Sequence, residues 1–293
     1  MANQSTLLSP LIAAACLLPA GCHLDPQVNR PGETTLERIQ RMGVVRIGYA
    51  NEAPFGYQDP KTGRVTGEAP EIARVVLERM GIETVEPSLT GFAQLIPGLK
   101  AGRFDLIAAG MYITPARCRQ IDFSNPSYSV GEAFLVREGN PKDLHSFSDV
   151  KDHADAVLGV VGGTAELRIA EALGISESQL AVFPDKSTAL AGLQAGRIDA
   201  FAGTILTIED LLEKTEYADV ERAEPFHQPA AHAQNYGAFG FRDADDAFRA
   251  EFNHHLDEYL GTPEHVELVR PFGFDRENLP GDVTADDLCV QNS

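Results

Sequence analysis

GLKAGRFDLIA (98–108) and GLQAGRIDAFA (192–202) are the two stretches that decide how this chain is built. Gly, Leu, Ala, Gly, Arg, Asp and a final Ala recur in register. Each copy reads as the end of a helix, a turn at the second glycine, where a left-handed residue meets no steric penalty, and then an apolar strand. The copies stand too far apart to be units of a solenoid. They point instead to two lobes of similar α/β construction, each with its own core, which 293 residues can supply.

Outward from the first copy, residues 44–50 (VVRIGYA) are expected as the opening strand. Ile72, Val75, Val76 and Met80 fall on one helical face within 70–80. A strand over 83–87, a helix carrying Phe92, Leu95, Ile96 and Leu99 and closed at Gly102, and a strand over 105–109 follow. Around the second copy the same alternation gives strands at 157–161, 180–183 and 200–203, with helices at 165–173 and 188–195. A strand over 238–241 and an amphipathic helix over 247–260 then return to the first lobe. Such alternation implies largely parallel sheets covered by helices. The chain is expected to cross between lobes near 133–137 and near 233–236, a hinge of two crossing strands. Lobe 1 is therefore read as 36–134 plus 236–275, lobe 2 as 135–235, and 276–293 as a C-terminal tail.

Composition narrows the setting. A formal charge of −19 argues against a nucleic-acid partner, which needs a basic face, and suits an extracytoplasmic surface. No apolar run approaches the length of a spanning helix. The short apolar run 11–18 followed by Pro19-Ala20-Gly21-Cys22 resembles the lipobox of bacterial lipoproteins. That resemblance implies a signal peptide over 1–21, a lipid on Cys22, and a polar tether over 22–35 holding the domain off a membrane. Two features depart from the pattern: no Lys or Arg precedes the run, and Leu18 stands one place further from the cysteine than usual. With Cys16 removed and Cys22 lipidated, Cys118 and Cys289 remain as an even pair in an oxidising compartment. A bond between them would tie the tail to lobe 1; two buried thiols are the alternative.

The run VVRIGYANEAPFGY (44–57), with GFAQLIPGLKAGRFDLIAAGMYITPARCRQIDFSNPSY (91–128), resembles the first lobe of family-3-type solute-binding proteins of ABC importers. Asp105, Thr114, Arg117, Phe123, Ser124 and Pro126 carry the characteristic pattern, and the likeness spans about 36–275. It implies an α/β, two-lobed type II periplasmic-binding-protein fold that is a monomeric binder and not an enzyme, and a permease partner. It also implies that Arg117 clamps a ligand carboxylate, for which a planar guanidinium is suited.

Amino-acid binders of the family carry an aspartate just after the G-R-x-D-A strand to hold the α-ammonium. Here Gly203 and Thr204 stand there, which argues against an ordinary amino acid. Glu52, directly after the first strand, is the cation partner offered instead. Phe55, Phe92 and Tyr112, with Gly110, occupy family contact positions and would present aromatic faces to a delocalised cation. NEAPF and the cysteine beside the clamp arginine are similar to binders of ectoine and hydroxyectoine, cyclic zwitterions. Gly163 and Thr164, at a strand-to-helix junction, would offer backbone N–H groups, though Thr164 also reads as a helix cap.

Other chemistry lacks support. His254 and His255 are adjacent, so on a helix they should diverge as metal ligands, and His227 and His232 lie in a Pro/Ala loop. No nucleotide or serine-hydrolase motif is present, and no cofactor is expected. A polar amino-acid binder and a periplasmic dehydratase of prephenate-like acids, with Glu52 recast as acid/base, remain as alternatives.

Overall fold

The computed structural model describes residues 30–214, 219–229 and 234–290. The signal peptide, Cys22 and most of the tether expected from the sequence lie outside them. From Thr34 the chain is already structured. Thr34 and Glu37 form a reciprocal capping box, which starts helix α1 (Thr35–Met42) inside what was read as tether.

The first lobe then runs β1 (Val44–Tyr49), a hairpin of β2 (Tyr57–Gln58) and β3 (Val65–Thr66), α2 (Glu68–Arg79), β4 (Thr84–Leu89) and α3 (Leu95–Lys100). It continues through β5 (Leu106–Tyr112), the short helix α4 (Pro115–Cys118), β6 (Asp122–Phe123) and β7 (Tyr128–Val130). The second lobe holds β8 (Glu132–Arg137), α5 (Phe147–Asp152), β9 (Leu158–Val161), α6 (Ala165–Ala172), β10 (Leu180–Phe183), α7 (Lys186–Gln194), β11 (Ala200–Thr204), α8 (Ile205–Lys214) and β12 (Val220–Arg222). The chain returns as β13 (Asn235–Phe241), α9 (Asp246–Tyr259), α10 (Pro263–Val269) and α11 (Ala285–Val290).

Besides the β2-β3 hairpin, the described residues form two larger sheets, in strand orders β4-β1-β5-β13-β6, with β7 also on β13, and β10-β9-β11-β8-β12. Strands linked through helices pair in parallel: β1 with β4 and β5, β9 with β10 and β11. The strands that enter straight from the other lobe, β13 and β8, run antiparallel to their neighbours. Lacking a helical crossover, they have no means of restarting in the parallel sense. The first crossing falls at Gly131, because Glu132–Arg137 already pairs with β11; the boundary expected between 134 and 135 is thus three residues late.

The repeated sequence is explained by a repeated joint. Gly102 and Gly196 end their helices at φ +70° and +66°. Asp105 Oδ2 accepts the Arg46 N–H (3.1 Å) while its own N–H donates to Arg46 O (2.8 Å). Asp199 does the same with Val157, at 2.9 and 2.8 Å. Each aspartate locks its strand to the neighbouring parallel strand. In lobe 1 it is also ion-paired to Arg38 at 2.6 Å and Arg46 at 2.8 Å, so Asp105 is a structural residue. Cys118 and Cys289 are bonded, with Cα atoms 5.7 Å apart, and hold α11 against α4.

Candidate functional site

A cleft with about 520 Å³ of empty space, open solvent at its mouth included, lies between the lobes, where loops leave the C-terminal ends of β1, β5 and β9. Glu52, Phe55, Phe92, Gly110, Tyr112, Arg117 and Thr164, all expected from the sequence, line it. Gly163 does not. Its carbonyl accepts from Arg117 Nη2 (2.9 Å), and a Cβ there would stand 2.7 Å from the Ala93 Cα, so this glycine lets the two lobes touch.

Arg117 comes from α4, started by the Thr114 cap and Pro115. Besides Gly163 O it donates to Tyr112 O (2.7 Å), and its guanidinium lies 5.5 Å from the Phe92 ring centroid. A guanidinium has five N–H donors, so donors remain for a ligand. Burial draws its pKa down to about 10, with the Glu166 charge acting the other way.

Glu52 sits in a tight loop closed by Glu52 N–H donating to Gly56 O (2.8 Å). Across the cleft its Oε1 accepts from Thr207 Oγ1 (3.3 Å) and lies 4.0 Å from Lys186 Nζ. Burial pushes the carboxyl up to about 7, opposed by Lys186 and reinforced by Glu166. Lys186 itself donates to Ala53 O of lobe 1 and to Asp210 Oδ2 of its own lobe (2.8 Å). Thr204, at the position of the family aspartate, caps α8: it accepts the Thr207 N–H at 2.9 Å and so aims Thr207 at Glu52.

The aromatic wall is only partly a cage. Phe55 is 3% exposed and packs on Tyr128 (5.2 Å) and Phe274 (5.6 Å), so most of its ring is core. Gly110 is glycine because its φ is +64° and a Cβ would meet the Phe55 ring at 2.5 Å. Phe92 is engaged by Arg117 on one face. Tyr112 is buried and its hydroxyl has no hydrogen-bond partner among the described residues.

Sequence reasoning missed Phe201, Thr207 and Glu166, which also line the cavity. Glu166, in the first turn of α6, puts a second-lobe carboxylate in the cleft after all, so the vacancy at Gly203 and Thr204 does not by itself exclude an ammonium ligand. Its signal was the acidic residue opening a helix, readable equally as a dipole partner. Away from the cavity lining, His254 and His255 do not diverge as expected. Their rings approach to 5.1 Å and both face Glu258 from the exposed side of α9.

The family model for bacterial extracellular solute-binding proteins, family 3, matches residues 45–273. The chain belongs to this family. A Sinorhizobium fredii protein named as a probable amino-acid ABC transporter periplasmic-binding protein is 37% identical, over 94% of this chain and 96% of that one. The L-arginine-binding protein of Pseudomonas aeruginosa is 28% identical over 79% of this chain and 88% of its own length. Among solved structures, EhuB in complex with hydroxyectoine superposes with a TM-score of 0.81 at 34% identity, covering 88% of this chain and 98% of that one. The architecture is the two-lobed type II periplasmic-binding-protein fold.

Proposed function

We propose that this family-3 solute-binding protein captures ectoine or hydroxyectoine between its lobes outside the cytoplasm and passes it to an ABC permease. The observation that carries the reading is one cavity with Arg117 and Glu52 on it, neither neutralised by the other. A cyclic zwitterion supplies what each lacks: a carboxylate for the guanidinium and N–H groups for the carboxylate. The likeness to EhuB, whose structure contains hydroxyectoine, supports it. Phe55, Phe92 and Tyr112 line the same cavity. Each aromatic face adds about 0.5–2 kcal/mol toward the roughly 8 kcal/mol of micromolar binding, so water must be excluded by closure. The contacts of Arg117 with Gly163 and of Lys186 with Ala53 would hold the lobes together, and the crossing at Gly131, between β7 and β8, would serve as one arm of the hinge. Anchoring through a lipid on Cys22 is part of the proposal, resting on the apolar run before Pro19-Ala20-Gly21-Cys22. A polar amino acid is the second reading, favoured by Glu166 and by the names of the two relatives.

Calorimetric titration with ectoine, hydroxyectoine, glycine betaine, proline and glutamine side by side is the test. Stoichiometric binding of the ectoines ahead of the others is expected; glutamine binding best would favour the second reading. Turnover of a prephenate-like acid would instead identify an enzyme.

A further inference from the structure

Glu166 has a more specific use than adding charge. It is 6% exposed, lines the cavity, and is the largest charge acting on Arg117, yet no basic side chain pairs with it directly among the described residues. Behind it stands Glu132, the first residue after the crossing at Gly131, with no exposed surface. One Glu132 oxygen accepts from Asn235 Nδ2 (2.8 Å) and the other has no hydrogen-bond partner among the described residues. Burial, and then the Glu166 charge, hold the Glu132 carboxyl well above the usual carboxylate range. The Glu166 carboxylate and the Tyr112 hydroxyl are the side-chain neighbours that act on it.

Resting on the zwitterion reading, we infer that Glu166 is a specificity residue that accepts the N–H or O–H next to the ligand's carboxylate. It does so in place of the aspartate that Gly203 and Thr204 lack. Arg117 fixes the carboxylate, so a carboxylate close to Arg117 meets whatever is bonded to the carboxylate-bearing carbon. Ectoine places one amidinium N–H there and the other across its ring, where Glu52 can take it. Glycine betaine is also a zwitterion but has no N–H. Seating it strips water from Glu166 and returns no hydrogen bond, and a site built to accept a donor rejects the analogue lacking it far more strongly than a missing methylene. The cleft thus reads three points and rejects quaternary ammonium solutes.

Wild type and Glu166→Gln are titrated with ectoine, L-arginine and glycine betaine, with ligand-free melting as the control for folding. Glu166→Gln should weaken ectoine by about tenfold or more while betaine, weak from the start, loses no more than about twofold. Ectoine held as tightly as by wild type overturns the inference and leaves the zwitterion reading standing. If wild type ignores ectoine and binds L-arginine, the ectoine reading fails, and Glu166 is judged on arginine by the same tenfold criterion. Binding of neither overturns both. Should Glu166→Gln melt early, Glu166→Asp, which keeps the charge and withdraws it by one methylene, decides. Loss of ectoine affinity supports the role and wild-type affinity refutes it.

Discussion

Glu52 makes ligand affinity depend on pH in a calculable way. Burial is the main cause that pushes its carboxyl up to about 7. A cation seated against it favours the ionised form and pulls that value back toward or below 4.5, the ordinary value. Binding and protonation therefore compete. Above pH 7 the carboxylate is already charged and affinity is flat. Below pH 7 each pH unit should cost nearly tenfold until the bound-state pKa is reached. Between pH 8 and 5.5 this amounts to about 30-fold, or about 2 kcal/mol. Ectoine keeps both of its charges through this range, because a carboxylate and an amidinium titrate outside it. The assay is calorimetry at half-unit intervals on wild type and Glu52→Gln. The variant should bind more weakly at pH 8, by about 1–3 kcal/mol, and show little pH dependence. A flat wild-type profile, or a variant with wild-type affinity at pH 8, refutes the reasoning.

Three further outcomes are expected. Arg117→Ala should cost about 2–5 kcal/mol of affinity, measured by titration, while the ligand-free protein still folds with a modestly lower melt, because Tyr112 O and Gly163 O each lose a donor. Glu68 is buried beside Ser127 with its carboxyl raised to about 8, so the fold favours its protonated form; that stability is present below pH 4.5 and lost as pH rises through 8. Glu68→Gln should accordingly match wild type near pH 4.5 and exceed it by at most about 4 kcal/mol at pH 8 in urea titrations; a difference independent of pH contradicts the assignment. Opening the Cys118–Cys289 bond, which spans 171 residues, should lower stability by up to about 5 kcal/mol by denaturant titration of Cys289→Ser and release α11 to proteolysis.

Much of this was legible in the sequence for identifiable reasons. Helix-to-strand joints with glycine and aspartate are local, so the echo at 98–108 and 192–202 revealed both lobes. Glu52 was legible because it directly follows a recognisable strand, and Arg117 because it matches the arginine of the family pattern Asp105, Thr114, Arg117, Phe123, Ser124 and Pro126. Glu166 and Thr207 were not, since a glutamate opening a helix and a threonine within one acquire meaning only when the other lobe faces them. Phe55 was half misread: its family contact position placed it at the cleft, but Tyr128 and Phe274, remote in sequence, claim most of its ring. The antiparallel entry of β8 and β13 is likewise a property of where the chain comes from, which no local pattern encodes.

The central claim is that a single small guest satisfies a guanidinium and a carboxylate rooted in the same lobe. A crystal structure of the protein grown with ectoine tests it most directly. The expected density shows the guest's carboxylate hydrogen-bonded to Arg117 and a ring N–H donated to Glu52. Ectoine bound with its carboxylate away from Arg117, or with Glu52 still joined only to Thr207 and Lys186, would contradict it.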